Sequence, residues 1–151
     1  MPEPIGWQIQ ADMKTALDNI DGTGSYFYNL SVDYAEYDQN TFNALDAEIE
    51  TVSIERNDAR THQSKTDWDH TFVVRVSLPV GTGVVGEHDQ RLMRAFADVA
   101  RALMADPRRS ELAHDTAILG YEASEKGSSR LACSVSVMVS YRTDELNLTT
   151  N

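Results

Sequence analysis

RLACSVSVMVSYR, which spans Arg130–Arg142, alternates apolar and semi-polar residues from end to end. Alternation with a period of two is typical of a β-strand that has one buried face. The apolar positions are Leu131, Cys133, Val135, Val137, Val139 and Tyr141. The opposite positions are Ala132, Ser134, Ser136, Met138, Ser140 and Arg142. We therefore predict a long strand whose first face closes a core and whose serine-rich face meets water or a neighbouring subunit.

Two nearby stretches have matching strand patterns. Trp68–Leu78 is predicted to bury one face and to end at Pro79, and that face carries Phe72, Val74, Val76 and Leu78. Thr116–Ser124 is predicted to be a strand with Ile118 on one side and, on the other side, Ala117, Leu119, Tyr121 and Ala123. The polar residues Glu125–Ser129 then form a short hairpin loop, so this strand and the last one should pair antiparallel.

The first half of the chain has weaker strand signals. Tyr26–Ala35 is rich in aromatic and β-branched residues, which favour a pleated, half-buried surface. Its acidic surroundings favour packing in a sheet over stacking on nucleic-acid bases. Glu48–Arg56 is predicted as a further strand with Val52 and Ile54 as its apolar members. Asn57–Asp67 has no apolar periodicity, and we expect this long loop to contact a partner protein or a neighbouring subunit.

Apolar residues spaced by three and four predict two amphipathic helices. The first covers Pro4–Ile20, and its buried stripe is Ile5, Ile9, Met13, Ala16, Leu17 and Ile20. The second covers Glu87–Ala105, and its buried stripe is Leu92, Phe96, Val99, Ala100 and Leu103. Within the second helix, Arg94 and Asp98 are spaced for an i,i+4 ion pair. Val80–Gly86, which precedes it, is predicted to be a flexible connector.

The element order is helix, three strands, helix and two strands. Because neither helix takes part in a repeated βαβ rhythm, the order predicts an α+β fold. We expect a mixed, mostly antiparallel sheet of about four to five strands, packed with two main helices. Residues 1–144 are predicted to form this single domain, and residues 145–151 a polar C-terminal tail.

Composition narrows the classes of function. The 151 residues carry a net charge of −11, which disfavours a protein that grips nucleic-acid phosphates. The basic clusters are confined to Arg91/Arg94/Arg101 and Arg108–Arg109. Cys133 is alone and on an apolar face, so it is predicted to be a buried, unreactive side chain. The sequence contains no run apolar enough for a membrane span and no secretory signal, which predicts synthesis in the cytoplasm.

No reactive-site motif stands out. The four histidines lack metal-ligand spacing, and the sequence has neither a G-x-S-x-G elbow nor a phosphate-binding loop. Asp67, Asp69 and His70 could supply ligands, but a solvated strand start is the preferred interpretation of D-W-D-H. We therefore predict that the chain is not an enzyme, and we assign no catalytic, cofactor-binding or metal-binding residue and no cofactor.

The arrangement resembles the phage tail terminator family, also called minor tail or tail-completion proteins. The likeness covers residues 5–144. It rests on IQADMKTALDNI, SYFYNLSVD, the helix RLMRAFADVARALMADP that ends at Asp106-Pro107, and the closing VSVMVSYRTD with its Tyr141-Arg142-Thr143 exit.

The resemblance implies a structural virion protein that is made in the host cytoplasm. Such a subunit would assemble as a homohexameric ring on the end of the tail tube, stop tube polymerisation and join the tail to the head. Its partners would be other copies of itself, the tail-tube protein and the head–tail connector protein. Genomic DNA would pass through the lumen without specific binding, and no membrane is involved.

Three alternatives stay open. Another ring-forming neck or tail-tube subunit would have a similar pattern. A small acidic module that binds a basic enzyme, as inhibitors and immunity proteins do, would be monomeric. An enzyme would have a deep polar pocket or bind a metal.

Overall fold

A computed structural model describes residues 2–21, 26–28, 46–59, 64–79, 85–126 and 130–144. Within these residues, four strands form one sheet in the order β1-β2-β4-β3, and every neighbouring pair is antiparallel. The fold is α+β, as predicted. The elements in chain order are α1 (Ile5–Asp18), β1 (Asp46–Arg56), β2 (Lys65–Pro79), α2 (Val85–Met104), β3 (Asp115–Lys126) and β4 (Arg130–Asp144).

Strand β4 lies in the middle of the sheet, and its alternation is confirmed. Every predicted apolar position is buried, while the opposite positions are half-buried, except that Ser140 is buried. The buried face of β4 continues into β2, where Phe72, Val74, Val76 and Leu78 are buried as predicted. Two adjacent strands with one apolar face each therefore supply the floor of the core.

Both helices pack on this apolar face. Helix α1 begins after Pro4 and buries Ile5, Ile9, Met13 and Leu17. Helix α2 buries Leu92, Ala95, Val99, Ala102 and Leu103, while Phe96 and Ala100 are half-buried. The predicted stripes are therefore correct in their main members, because helical spacing of three and four gives a single apolar face.

The predicted ion pair between Arg94 and Asp98 is wrong. Asp98 is fully buried and accepts hydrogen bonds from the backbone N–H groups of Phe27 and Tyr28. Arg94 lies over the ring of Phe27, with its guanidinium carbon 5.2 Å from the ring centroid. Asp98 therefore binds a distant part of the chain in place of a helical neighbour.

The predicted face of β3 is also wrong. A bulge between Ile118 and Gly120 adds one residue to the strand. As a result, Leu119 and Tyr121 face opposite sides of the sheet, although alternation predicts the same side for both. Ile118 packs against the core together with Tyr121 and Ala123, whereas Leu119 is 53% exposed. An alternation count across a bulge assigns the residues on one side of it to the wrong face.

Strand β1 begins two residues earlier than predicted and is an edge strand of the described sheet. Its predicted apolar members, Val52 and Ile54, are both exposed, while Ala47 and Ile49 pack against the core. A register shift between Thr51 and Ser53 accounts for part of this change. The apolar side chains at its far end therefore belong to the surface.

The loop predicted at Asn57–Asp67 is shorter than expected. Residues Lys65, Thr66 and Asp67 extend β2, because they pair with the end of β4. Asn57 also donates its backbone N–H to the carbonyl of Asp67, at 2.9 Å. Residues 60–63 lie outside the described part, and the partner contact expected for the loop stays a prediction.

Other predictions fall largely outside the described residues. These are the strand over residues 29–35, the connector over 80–84, the hairpin tip over 127–129 and the tail over 145–151. Residues 26–28, where the first strand was predicted to begin, form a bend instead of a strand. Neither α1 nor α2 combines the length and apolarity that a membrane-spanning helix needs.

Candidate functional site

The D-W-D-H stretch is divided between the two faces of the sheet. Asp67 and Asp69 project from one face, while Trp68 and His70 project towards the helices. Asp67 is only 2% exposed and His70 only 3% exposed, so the prediction of a solvated strand start is wrong. Alternation along the strand keeps these side chains from converging on one ion. The described residues contain no cluster of three potential metal ligands.

On the helix side, a groove of about 360 Å³ lies between the start of α1 and the three strands β1, β2 and β4. Its rim is apolar: Trp7 of α1 is 57% exposed, and Ile54 of β1 is exposed opposite it. The described lining residues are Pro4, Gly6, Trp7, Gln10, Thr51, Ile54, Trp68, His70 and Tyr141. A second hollow continues along the same helix and β1, lined in part by Lys14, Asp18, Glu48 and Arg75.

A chain of hydrogen bonds forms the floor of the groove. The Thr51 hydroxyl donates to Oε1 of Gln10 at 3.3 Å and lies 3.0 Å from Nε2 of His70. The Tyr141 hydroxyl lies 3.3 Å from Nδ1 of His70. One neutral tautomer satisfies all three contacts: Nε2–H donates to Thr51, and Nδ1 accepts from Tyr141. The ring also stacks on Phe72, with centroids 3.9 Å apart.

Burial keeps this floor uncharged. It lowers the pKa of His70 to about 4 and raises the pKa of Tyr141 to about 12. Both groups are therefore neutral at pH 7, because desolvation disfavours the charged form of each. A groove with an apolar rim and a neutral, fully bonded floor is suited to holding an apolar side chain of a partner and unsuited to proton transfer near pH 7.

Acid should destabilise the fold through His70. Histidine in the unfolded chain titrates near pH 6.5, whereas in the folded chain His70 titrates at about 4. Between these two pH values the unfolded state binds more protons than the folded state. The contribution of neutral His70 to the free energy of unfolding is therefore complete above pH 6.5 and is lost as the pH falls to about 4. We expect this protonation to lower the free energy of unfolding by an amount on the order of 3 kcal/mol.

The measurement is denaturant unfolding at pH 7, 5.5 and 4 for the wild type and for His70→Asn. The difference in unfolding free energy between the two proteins should shrink steadily with falling pH. A difference that stays constant across this range would show that His70 is not held neutral by the fold.

Gly6 is the point where α1 comes closest to the sheet. A β-carbon at Gly6 would lie 2.9 Å from Nδ1 of His70 and 2.9 Å from the Tyr141 hydroxyl. Because both neighbours are buried, Gly6→Val should lower the free energy of unfolding by about 2 kcal/mol through overpacking. Ala11→Val, at an exposed position of the same helix, should cost only the propensity difference of about 0.6 kcal/mol. Equal losses in the two variants, measured by urea unfolding, would contradict the close approach.

The opposite face of the sheet carries a polar network at the same end. Arg142 donates from Nε and Nη2 to the two carboxylate oxygens of Asp67, at 2.7 and 3.1 Å. Desolvation of Asp67 is outweighed by Arg142 and His114, so its pKa lies below the ordinary value. Asp69 accepts hydrogen bonds from Ser140 and Asn57. The network lies on the serine-rich face of the sheet, at the end where β1 connects to β2. Both helices pack on the opposite face.

The remaining sequence candidates are structural. Burial raises the pKa of the Cys133 thiol to about 11, which makes it a poor nucleophile. Of the adjacent arginines, Arg109 is fully buried, while Arg108 is exposed and pairs with Glu111. Arg91 lies over the ring of Tyr28, 5.7 Å from its centroid. The basic clusters of the sequence are therefore dispersed among separate contacts.

Two exposed apolar surfaces were not predicted as such. We call the first the edge patch; its members are the exposed side chains Trp7 of α1 and Val52 and Ile54 of β1. We call the second the helix patch; its members are Phe27, Met93, Arg94, Arg101 and Met104. Helical spacing does place Met93 and Met104 off the apolar stripe, which is the one sequence signal for the second surface.

Comparison with known proteins adds no relative from which a role can be transferred. The chain matches no protein-family model, and it matches no curated protein sequence at a significant level.

Proposed function

We propose that this protein is a tail terminator of a long-tailed phage, a structural virion subunit that caps the tail tube as a ring, stops tube growth and joins the tail to the head. The observation that carries the proposal is the presence of two different exposed apolar surfaces, the edge patch and the helix patch. A ring of identical subunits needs head-to-tail contacts, which join two unlike surfaces of the same chain.

The strand and helix positions support this assignment. Helix α1 contacts β1, which is one edge of the described sheet, whereas α2 packs over β3 and β4 at the other side. The edge patch therefore lies at the β1 edge of the described sheet, and most of the helix patch lies on α2, over β3 and β4. The serine-rich face of β4 supplies a further broad surface on which neither helix packs.

The charge balance supports the partners expected for such a ring. A net charge of −11 disfavours adhesion to DNA phosphates. Weak adhesion is what a ring needs if DNA is to pass through its lumen. The connector protein and the tail-tube protein would contact the two ends of the ring, and about six copies would close it.

A small acidic binding module is the second candidate, because the groove beside Trp7 and Ile54 has an apolar rim and a neutral floor. The two proposals differ in assembly state. Light scattering at several concentrations, with and without the tail-tube protein of the same genome, should detect a species of about six chains. A monomer under all these conditions that binds a basic protein one to one would favour the binding module.

Electron microscopy of the purified protein separates the terminator from a tube subunit. We expect single rings of uniform height. Long tubes built from this chain alone would identify it as a tube subunit instead.

A further inference from the structure

Helix α2 carries a second apolar stripe in addition to the one that faces the core. Met93 and Met104 are exposed, and Ala97 and Ala100 between them are half-buried. We call these four residues the seam. Their spacing of four, three and four is the a/d spacing of a helix that packs lengthwise against another helix. The seam is about 16 Å long, and the described part of the chain leaves both of its ends open to solvent.

Positive charge flanks the seam, although the protein as a whole is acidic. Arg94 and Arg101 are exposed at equivalent positions, each directly after a seam residue. Asp98 is the one carboxylate between residues 90 and 104, and it is fully buried and accepts hydrogen bonds from backbone N–H groups. It therefore offers no exposed negative charge on this side of the helix. Because the chain has a net charge of −11, the exposed arginines beside the seam are a local exception.

Arg94 has the capacity to bind a carboxylate from outside. It forms none of the salt bridges found among the described residues. Its guanidinium lies over the ring of Phe27, with the central carbon 5.2 Å from the ring centroid. A contact of this kind uses the flat face of the guanidinium, so the N–H edge can still bind a carboxylate.

A second copy and DNA both match the seam poorly. The exposed side chains of α1 are those of Trp7, Ala11, Lys14, Thr15 and Asp18, so this helix in another copy has no acidic flank. DNA phosphates would meet the arginines but would offer no apolar surface to cover the methionines. A helix that combines apolar side chains with a flank of carboxylates complements both features of the seam.

We propose that the seam of α2 docks an acidic amphipathic helix of a different protein. Apolar side chains of that helix would cover Met93 and Met104, and the two alanines between them would let the two backbones approach closely. Its carboxylates would face Arg94 and Arg101, because charges beside a helix seam select the partner. This docking does not depend on ring formation. Under the proposed ring function, a subunit that holds the helix would not have its helix patch available for a ring contact, so the partner would bind before the ring closes.

Two labelled peptides test the docking on the purified chain, without the tail-tube protein. Both have leucine at the a and d positions of about three heptads; one has glutamate at every e and g position, and the other has lysine. By fluorescence anisotropy, we expect the wild type to bind the glutamate peptide and not the lysine peptide. No binding of the glutamate peptide, or equal binding of both, would overturn the proposal. Tighter binding of a short duplex DNA would also overturn it and assign this surface to nucleic acid.

Charge reversal tests whether the seam is the site. The double variant Arg94→Glu, Arg101→Glu should bind the glutamate peptide about tenfold more weakly and should gain binding of the lysine peptide. Arg56→Glu, which reverses an exposed arginine at the end of β1, is the matched control and should bind as the wild type does. If the double variant loses its circular dichroism spectrum, Met93→Glu at a 60% exposed position should weaken binding in its place. Unchanged binding in the folded seam variants would overturn the proposal and leave the ring function standing.

Discussion

Arg109→Ala should lower the free energy of unfolding by about 4 kcal/mol, although this arginine follows another in a polar stretch of sequence. Arg109 is 0% exposed, and its Nη2 donates to the carbonyls of Leu103 and Asp106 at the end of α2. Its Nη1 lies 3.2 Å from a carboxylate oxygen of Asp12 on α1. Truncation would leave the half-buried Asp12 carboxylate and two carbonyls without this donor, together with a cavity.

The backbone around Arg109 makes the fold more sensitive to the loss of this side chain. Arg109, Ser110 and Glu111 have φ values of 49°, 55° and 68°, which are unfavourable for side chains with a β-carbon. The Asp106 carboxylate holds this turn by accepting from the backbone N–H groups of Arg108 and Ser110. Without the Arg109 side chain, this turn of unfavourable backbone geometry would lose the contacts that hold it in place.

Arg108→Ala is the matched control. Arg108 is 60% exposed and pairs at 3.1 Å with Glu111, which is 73% exposed. An exposed pair of this kind contributes at most about 1 kcal/mol, so this variant should unfold close to the wild type in urea. Similar losses for the two arginines would contradict the account of Arg109 as the link between α1 and α2.

Asp98→Ala should have a comparable effect, about 3 kcal/mol. Both carboxylate oxygens of Asp98 lie 3.0 Å from the backbone nitrogen of Phe27, and one also lies 2.9 Å from that of Tyr28. Burial raises the pKa of Asp98 in spite of the opposing effects of these N–H groups and of Arg101. Removing the acceptor would leave the buried N–H of Tyr28 and the part-buried N–H of Phe27 unsatisfied and loosen Tyr28, which is itself part of the core.

Glu87→Ala provides the comparison for Asp98. Glu87 is exposed in the first turn of α2, where it contributes a few tenths of a kcal/mol through the helix dipole. Urea unfolding of the two variants should therefore differ by more than 2 kcal/mol, which is about the net value of the backbone hydrogen bonds at stake. A difference below 1 kcal/mol would mean that residues 26–28 do not depend on α2.

The sheet and helices were predictable where one pattern governs the whole element. The β4 alternation and the α1 stripe follow from periods of two and 3.6, and both are confirmed. The prediction failed where an extra residue changes the face, as at Leu119 in β3. It also failed at Val52 and Ile54, because apolar composition alone does not distinguish a buried strand from an exposed edge.

The buried polar anchors could not be predicted for a different reason. Asp98 reads as the partner of Arg94 because helical spacing reports only local neighbours, while its bonds reach residues about 70 positions away. Arg109 reads as a solvated charge next to Arg108, and only the packing of α1 against α2 buries it. The groove floor likewise depends on strand register, which brings His70 beside Thr51 and Tyr141.

The most direct test of tail termination is the length of tail tubes grown in vitro with increasing amounts of this protein. Tubes of the tail-tube protein from the same genome would be measured by electron microscopy. A terminator should shorten the tubes progressively and leave one ring on each growing end. Tube lengths that do not change at any ratio, with no ring at the tube ends, would contradict the proposed function.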